Sequence, residues 1–291
     1  MDELQGNQGT WRFDGETVRL RYRTHRRTPA LLRALGECRV PIAAVRSVEF
    51  QPGFQKAGWR LRLRLIEDAN PYSAVNPSPE DDSDPLLLKG DSDSELLAEY
   101  FADQLERAVA SEVELGSAPD AAQVARGLVP SLPLRALTAE GDGFFDGQTV
   151  RFRWNGWLAS TSKGNERTRE FAVADIAKVE WERQQAMEVG FLRVVPHGAV
   201  TTAMADPEQD FTCLCTHGSK GQAQTLVMAA AITAHLRPRD EAAAPAVTAA
   251  DSDDGTQLIY DRIRELGRLH KEGLLTDEEF STKKTELLDR L

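Results

Sequence analysis

Cysteine is scarce in this sequence: Cys38, Cys213 and Cys215 are the three among 291 residues. So few, and so unevenly placed, they cannot build the disulfide framework on which small secreted domains rely. Free thiols in a reducing compartment, the cytoplasm, are expected instead. Long hydrophobic runs are missing as well. The most apolar stretch, Leu226 to Leu236, falls well short of the ~20 residues that span a bilayer. The first residues, MDELQGNQGT, carry neither a basic nor an apolar segment, so no secretion signal is expected there. Positive charge is in deficit, with 35 Lys and Arg against 46 Asp and Glu and a formal net charge of −11. A surface of that sign cannot displace counterions from nucleic acid or an anionic membrane by its overall charge, so neither is an expected nonspecific partner.

Catalytic signatures are lacking too. The sequence holds no Gly-rich phosphate loop, nucleophile elbow or HExxH, and its five histidines sit in scattered contexts, so neither enzymatic activity nor a cofactor is expected. The acidic runs from Asp91 to Glu95 and from Asp251 to Gly255 lack the glycine position or the closing glutamate of a calcium loop. They read as solvated acidic loops. Cys213, Cys215 and His217 alternate along an expected strand and would share one face, which is the sharpest metal candidate. No fourth ligand is evident, although His197 is conceivable, and structural zinc sites usually pair ligands across a turn. Buried thiols are therefore the preferred reading, and no metal is expected.

What is present is an internal repeat. Phe13-Asp14-Gly15-Glu16-Thr17-Val18-Arg19-Leu20 recurs as Phe145-Asp146-Gly147-Gln148-Thr149-Val150-Arg151-Phe152. Farther on, Val40 to Phe50 matches Phe171 to Trp181 at nearly the same offset. Asp-Gly is a favoured tight-turn pair, and the alternation that follows it reads as a hairpin entering a half-buried strand. A break near Ile42 and Val173 suggests a short turn between two strands, and Trp59–Leu65 and Gly190–Val195 read as the third strands. Each copy closes on a helical pattern. In the first, Ser94 is the expected cap and Leu96, Leu97, Tyr100, Phe101, Leu105 and Val109 the apolar stripe; Thr225 to Leu236 is the counterpart.

These patterns imply an α+β chain that is mainly β. Two tandem PH-like small barrels are expected, each closed by a C-terminal helix, with a two-helix hairpin at the C-terminus. The expected organisation is a first repeat over 8–112, a partly docked connector over 113–139 and a second repeat over 140–237. A flexible acidic tether over 238–257 and the hairpin over 258–291 follow. Asn70 to Ser94, rich in Pro, Ser and Asp, reads as a long mobile loop inserted before the first helix.

In the hairpin, Leu258, Ile259, Ile263, Leu266 and Leu269 have helical spacing, Lys271-Glu272-Gly273 is a helix stop, and Thr276 to Glu279 is a capping box. The chain turns back through Leu274 and Leu275, and Phe280, Leu287, Leu288 and Leu291 form the second apolar face. Its apolar side chains are too few to offset the ordering entropy of the segment, so self-association or docking on a protein partner is expected. Ile263 to Leu288 is similar to the short C-terminal domain called SHOCT, a resemblance that implies oligomerisation or partner contact. The repeats resemble a domain-of-unknown-function family of tandem PH-like modules from high-GC Gram-positive bacteria, through Phe13-Asp14-Gly15, the Leu35-Gly36-Glu37 to Pro41-Ile42 segment and Val189 to Val194. That resemblance covers most of residues 8–236 and implies the fold without an established activity. The second copy lacks the Leu-Gly-Glu and Pro elements, so the resemblance does not imply that the two ligand faces are equivalent.

One charged constellation stands out. Arg19, Arg21 and Arg23 alternate on one strand and Arg60, Arg62 and Arg64 on another, with Arg26 and Arg27 in the adjoining loop. Two readings fit: an anionic or phosphorylated ligand docks on the arginines, or the face is solvated and neutralised by the acidic insert from Glu80 to Glu95. The second is the more economical. The functional expectation is a non-enzymatic adaptor or scaffold that binds a protein or an anionic surface. The alternative is a peripheral protein that uses the arginine face on anionic lipid headgroups.

Overall fold

The computed structural model describes residues 3–53, 58–76, 83–116, 119–185, 188–199 and 206–236. All belong to a compact unit, Met1–Arg237; a second unit is Pro238–Leu291. The expected tether and hairpin, with Ile259, Ile263, Leu266, Leu269, Leu274, Leu275, Phe280, Leu287 and Leu288, lie outside the described residues.

The first copy begins with an antiparallel sheet of β1 (Glu3–Gln5), β2 (Gly9–Phe13), β3 (Thr17–Tyr22) and β4 (Glu37–Pro41), hydrogen-bonded in that order. A short helix, α1 (Ala30–Leu35), precedes β4. A 3-10 turn over Ile42–Ala44 then leads to a second sheet, β5 (Val45–Gln51), β6 (Trp59–Leu65) and β7 (Leu87–Gly90), with α2 (Pro71–Val75) inserted before its last strand. Helix α3 (Glu95–Leu115) closes the copy, and α4 (Ala121–Gly127) lies between the copies. The second copy repeats the order: β8 (Leu134–Leu137), β9 (Asp142–Phe145), β10 (Thr149–Arg153), α5 (Thr161–Glu166) and β11 (Thr168–Ala172), a 3-10 turn, then β12 (Ile176–Glu182), β13 (Gly190–Pro196), β14 (Cys213–Thr216) and α6 (Gly218–His235). Strand β8 joins the second copy's sheet ahead of residue 140.

The sequence dictates the matching turns. Asp14 Oδ1 accepts from the amides of Glu16 and Thr17, and Asp146 Oδ1 from those of Gln148 and Thr149. Gly15 and Gly147 follow at φ 104° and 98°, where a Cβ would be strained. Gly9 and Gly141 mark the same close approach: a Cβ on either would lie 2.3 Å from Arg21 O or 1.9 Å from Arg153 O, a carbonyl at the equivalent position. Phe13 and Phe145, Val18 and Val150, and Leu20 and Phe152 are all buried.

Among the described residues the expected closed barrel does not form, and each copy has two separate sheets. Pro41 has no amide to extend the ladder and the 3-10 turn redirects the chain. A bulge between Val45 and Ser47, matched by one between Ile176 and Lys178, starts the second sheet out of register. The expected mobile loop is corrected as well, since its described parts include α2 and β7. Asn70 caps α2 by accepting from Tyr72 N and Ser73 N, Pro71 opens the helix, and buried Tyr72 donates its hydroxyl to Leu128 O.

The closing helices differ. Helix α6 packs on its own β8, β12 and β13 and, on its other side, on α1, α2 and α4. Its run from Leu226 to Ile232 is buried all round, the pattern of a helix with no solvent face. Small side chains at Ala229, Ala230 and Ala231 permit that close approach, and the two copies share one core. Helix α3 buries only Ala98, Phe101, Ala102, Leu105 and Val109. Leu96, Leu97 and Tyr100, expected in its buried stripe, are exposed. Nor does Ser94 cap through its side chain: its Oγ accepts from Trp59 Nε1 and donates to Asp91 O.

Candidate functional site

Of the six arginines singled out in the sequence, five fall on two sheets, while Arg23, expected on the same strand as Arg19 and Arg21, lies just past the end of β3. Arg60, Arg62 and Arg64 lie on β6, and two of them meet carboxylates: Arg62 Nε is 3.1 Å from Asp84 Oδ2 and Arg64 Nε 2.9 Å from Glu49 Oε1. The second copy has the same pin, with Arg193 Nε 3.1 Å from Asp210 Oδ2 and its Nη1 3.3 Å from Glu180. Each aspartate also orders the loop before the last strand, Asp84 accepting from Leu86 N and Asp210 from Thr212 N. Burial pushes the Asp210 carboxyl up, but the Thr212 amide and hydroxyl, Cys213 and Arg193 together hold it below the usual aspartate value. The recurrence of this pair in both copies marks it as part of the module's frame.

Arg19 and Arg21 belong to the outer face of the first sheet, where strand register brings other arginines beside them. Arg12 on β2 stands opposite Arg19, and Arg19 opposite Arg39 on β4. Three guanidinium side chains therefore line up across adjacent strands, a row ~10 Å long at ordinary strand spacing. In the next row Thr10 faces Arg21 and Arg21 faces Glu37. Glu3, Thr10, Arg12, Arg19, Arg21 and Glu37 line a shallow groove of about 270 Å³. Asp14 lies 3.5 Å from Arg19 and Glu37 3.6 Å from Arg39, all four side chains well exposed. Arg23 opens the following loop with His25, Arg26 and Arg27, every one exposed. Among the described residues no ion pair is formed by Arg12, Arg21, Arg23, Arg26 or Arg27.

The equivalent face of the second copy is compensated. Its row reads Arg135, Phe144, Arg151 and Glu170, where the first copy has Glu3, Arg12, Arg19 and Arg39. Arg151 Nε lies 2.7 Å from Glu170 Oε1, with its guanidinium over the Phe144 ring. Asp142 takes two hydrogen bonds from Arg153 and lies 3.3 Å from Arg135. Among the described residues the first copy's face thus leaves Arg12 and Arg21 without an ion pair, whereas Arg135, Arg151 and Arg153 on the second copy's face each meet a carboxylate. Arg12 and Arg39 were missed in the sequence; their alternation in Trp11-Arg12-Phe13 and Cys38-Arg39-Val40 was the available signal.

The second copy instead buries a charged pair. Lys163 and Glu140 are 0% and 1% exposed, and their side chains are 2.8 Å apart. Lys163 Nζ also donates to Pro207 O at 2.8 Å and Cys213 O at 3.0 Å, which satisfies its three protons, while Glu140 Oε2 accepts from Cys215 N at 2.6 Å. In the first copy Gln8 and Leu32 hold these two positions. The metal candidate resolves into the same neighbourhood: Cys213 Sγ contacts Asp210 and Arg193, Cys215 Sγ lies 3.8 Å from Lys163 Nζ, and His217 is the residue before α6. Burial raises all three thiols, Cys38 and Cys213 to about 12. Among the described residues no group of three or more His, Cys, Asp and Glu is placed to hold a metal ion, and no helix is long and apolar enough to cross a membrane.

A family model for Domain of unknown function (DUF4429) matches residues 11–106 and again 144–233, one match in each copy. A second, for the Short C-terminal domain (SHOCT), matches residues 261–288. No curated protein matches the chain.

Proposed function

The chain belongs to the DUF4429 family, and from that premise we propose that it is a non-enzymatic adaptor whose first copy docks an acidic protein segment on its arginine face. The short C-terminal domain then joins it to further copies or to a second protein. Four strands, three strands and a closing helix in each copy support reading the repeats as PH-like modules. Three buried free thiols suit work in the cytoplasm.

The observation that carries this reading is the row Arg12, Arg19 and Arg39, three guanidinium groups side by side against Glu3, Asp14 and Glu37 in which Arg12 forms no ion pair among the described residues, beside a second copy whose Arg135, Arg151 and Arg153 each meet a carboxylate. Like charges directly opposite on neighbouring strands each cost ~0.2–1 kcal/mol. Carboxylate or phosphate oxygens in the groove relieve that repulsion through charge-assisted hydrogen bonds. A short segment feels this local field. A bilayer meets the whole molecule, whose net charge of −11 repels an anionic surface.

The full chain is titrated with a labelled poly-glutamate peptide at rising salt, with flotation on phosphatidylglycerol vesicles alongside. Peptide binding that weakens steeply with salt, with vesicles left unbound, is expected. Salt-sensitive vesicle binding without peptide binding moves the function to a lipid surface, and absence of both overturns the anionic-docking reading.

A further inference from the structure

Within the chain, the closing helix of one copy docks on its neighbour. Helix α6 lies against α1 and α2 of the first copy, and its Ala223, Leu226, Val227 and Ala230 are buried. When the helices are aligned on their core-facing residues, Ala98 with Thr225, Phe101 with Met228 and Leu105 with Ile232, Leu96 and Tyr100 of α3 take the positions of Ala223 and Val227. Those α3 positions are open, Leu96 at 81% and Tyr100 at 51% exposure.

The complementary surface is open at the other end. Pro29, Ala30 and Leu31 run from the loop after β3 into α1 and line a groove with Trp181, Ala223 and Leu226. Their counterparts in the second copy are Ser160, Thr161 and Ser162, and just before them stand Trp157, 83% exposed, and Leu158. This loop is fixed: Gly156 N donates to Glu140 O at 2.9 Å and Leu158 N to Ala139 O at 3.1 Å. Both surfaces are charged as well: α3 displays Glu99, Asp103, Glu106 and Arg107, and Arg167 and Arg169 are exposed beside α5 together with Glu166 and Glu170.

We propose that a second copy of this chain docks head to tail, α3 of one molecule settling beside α5 and the Trp157 loop of the next as α6 settles beside α1 inside the chain. The contact joins two different surfaces, so each added molecule leaves one of each free and growth continues unless it closes into a ring. Glu99, Asp103 and Arg107 stand where α6 has Leu226, Ala230 and Ala234, so this junction is more polar than the internal one and reversible.

Sedimentation of the full chain over a range of concentrations tests it, with one variant carrying Leu96→Asp and Tyr100→Asp and another carrying Trp157→Asp and Leu158→Asp. All four side chains are exposed or nearly so, and circular dichroism checks that both variants keep the native fold. The average mass of the unmodified chain rises with concentration; each variant alone loses that rise. Mixed in equal amounts, the two variants regain a single doubling, because one intact surface of each kind remains. A mixture that gains nothing, an unmodified chain of constant mass, or a rise that persists in both variants and vanishes only without residues 258–291 overturns the proposal.

Discussion

Removing the Lys163 ammonium strands the Glu140 carboxylate in a site closed to water, with Pro207 O also left without its donor. Leaving one member of a buried ion pair uncompensated costs ~3–5 kcal/mol. Lys163→Leu is therefore expected to lower stability by that amount, which for a unit of this size is a fall in Tm of ~6–20 °C at ~2–4 °C per kcal/mol. The first copy supplies the compensating change, since Gln8 and Leu32 occupy the two positions. Glu140→Gln combined with Lys163→Leu removes both charges together and is expected to cost only ~1–2 kcal/mol, from the hydrogen bond lost by Pro207 O and the uncharged acceptor left to the Cys215 amide. Urea unfolding of the two single variants and the double variant closes the cycle. A double variant as unstable as the sum of the singles would refute the reasoning, because the groups would then not be coupled through their charges.

Two further effects follow from individual residues. Arg167 ends α5 at φ 67°, where the first copy has Gly36 at φ 73°; Arg167→Gly is expected to stabilise the chain by ~1 kcal/mol, read as a rise in Tm, and a fall would show that the arginine side chain outweighs the backbone strain. Because the Asp210 carboxyl is held below its ordinary value in the folded chain, its contribution is complete above the unfolded aspartate range and is lost as pH falls through the lowered folded value. Asp210→Asn should therefore reduce stability at neutral pH and flatten the acid limb of the stability profile, and an acid limb of unchanged steepness would contradict this.

The duplication was legible because its markers are local. An Asp-Gly turn needs only its own carboxylate and a glycine free to take positive φ, and Asp14-Gly15 and Asp146-Gly147 announce both hairpins. The arginine row was legible only in part, because Arg12, Arg19 and Arg39 meet through the register of three strands, whereas Arg60, Arg62 and Arg64 share the alternation but belong to the other sheet. Periodicity likewise found α3 but not which of its apolar residues are covered. Leu96 and Phe101 are equally apolar, and only the packing of one side of the helix on β5, β1, β6 and the 3-10 turn separates them. The Glu140 and Lys163 pair left no signal, since α5 reads as a polar segment and its partner lies 23 residues away in the turn between β8 and β9.

Arg19 and Arg151 occupy the same position in the two copies, which allows the central claim to be tested by one comparison. Fluorescence anisotropy of the labelled acidic peptide is measured with the full chain carrying Arg19→Glu and, separately, Arg151→Glu. At ~1.5–3 kcal/mol for a hydrogen bond between charged groups, Arg19→Glu should weaken binding about tenfold or more while Arg151→Glu leaves it unchanged. Equal loss from both substitutions, or none from Arg19→Glu, would contradict an anionic docking face confined to the first copy.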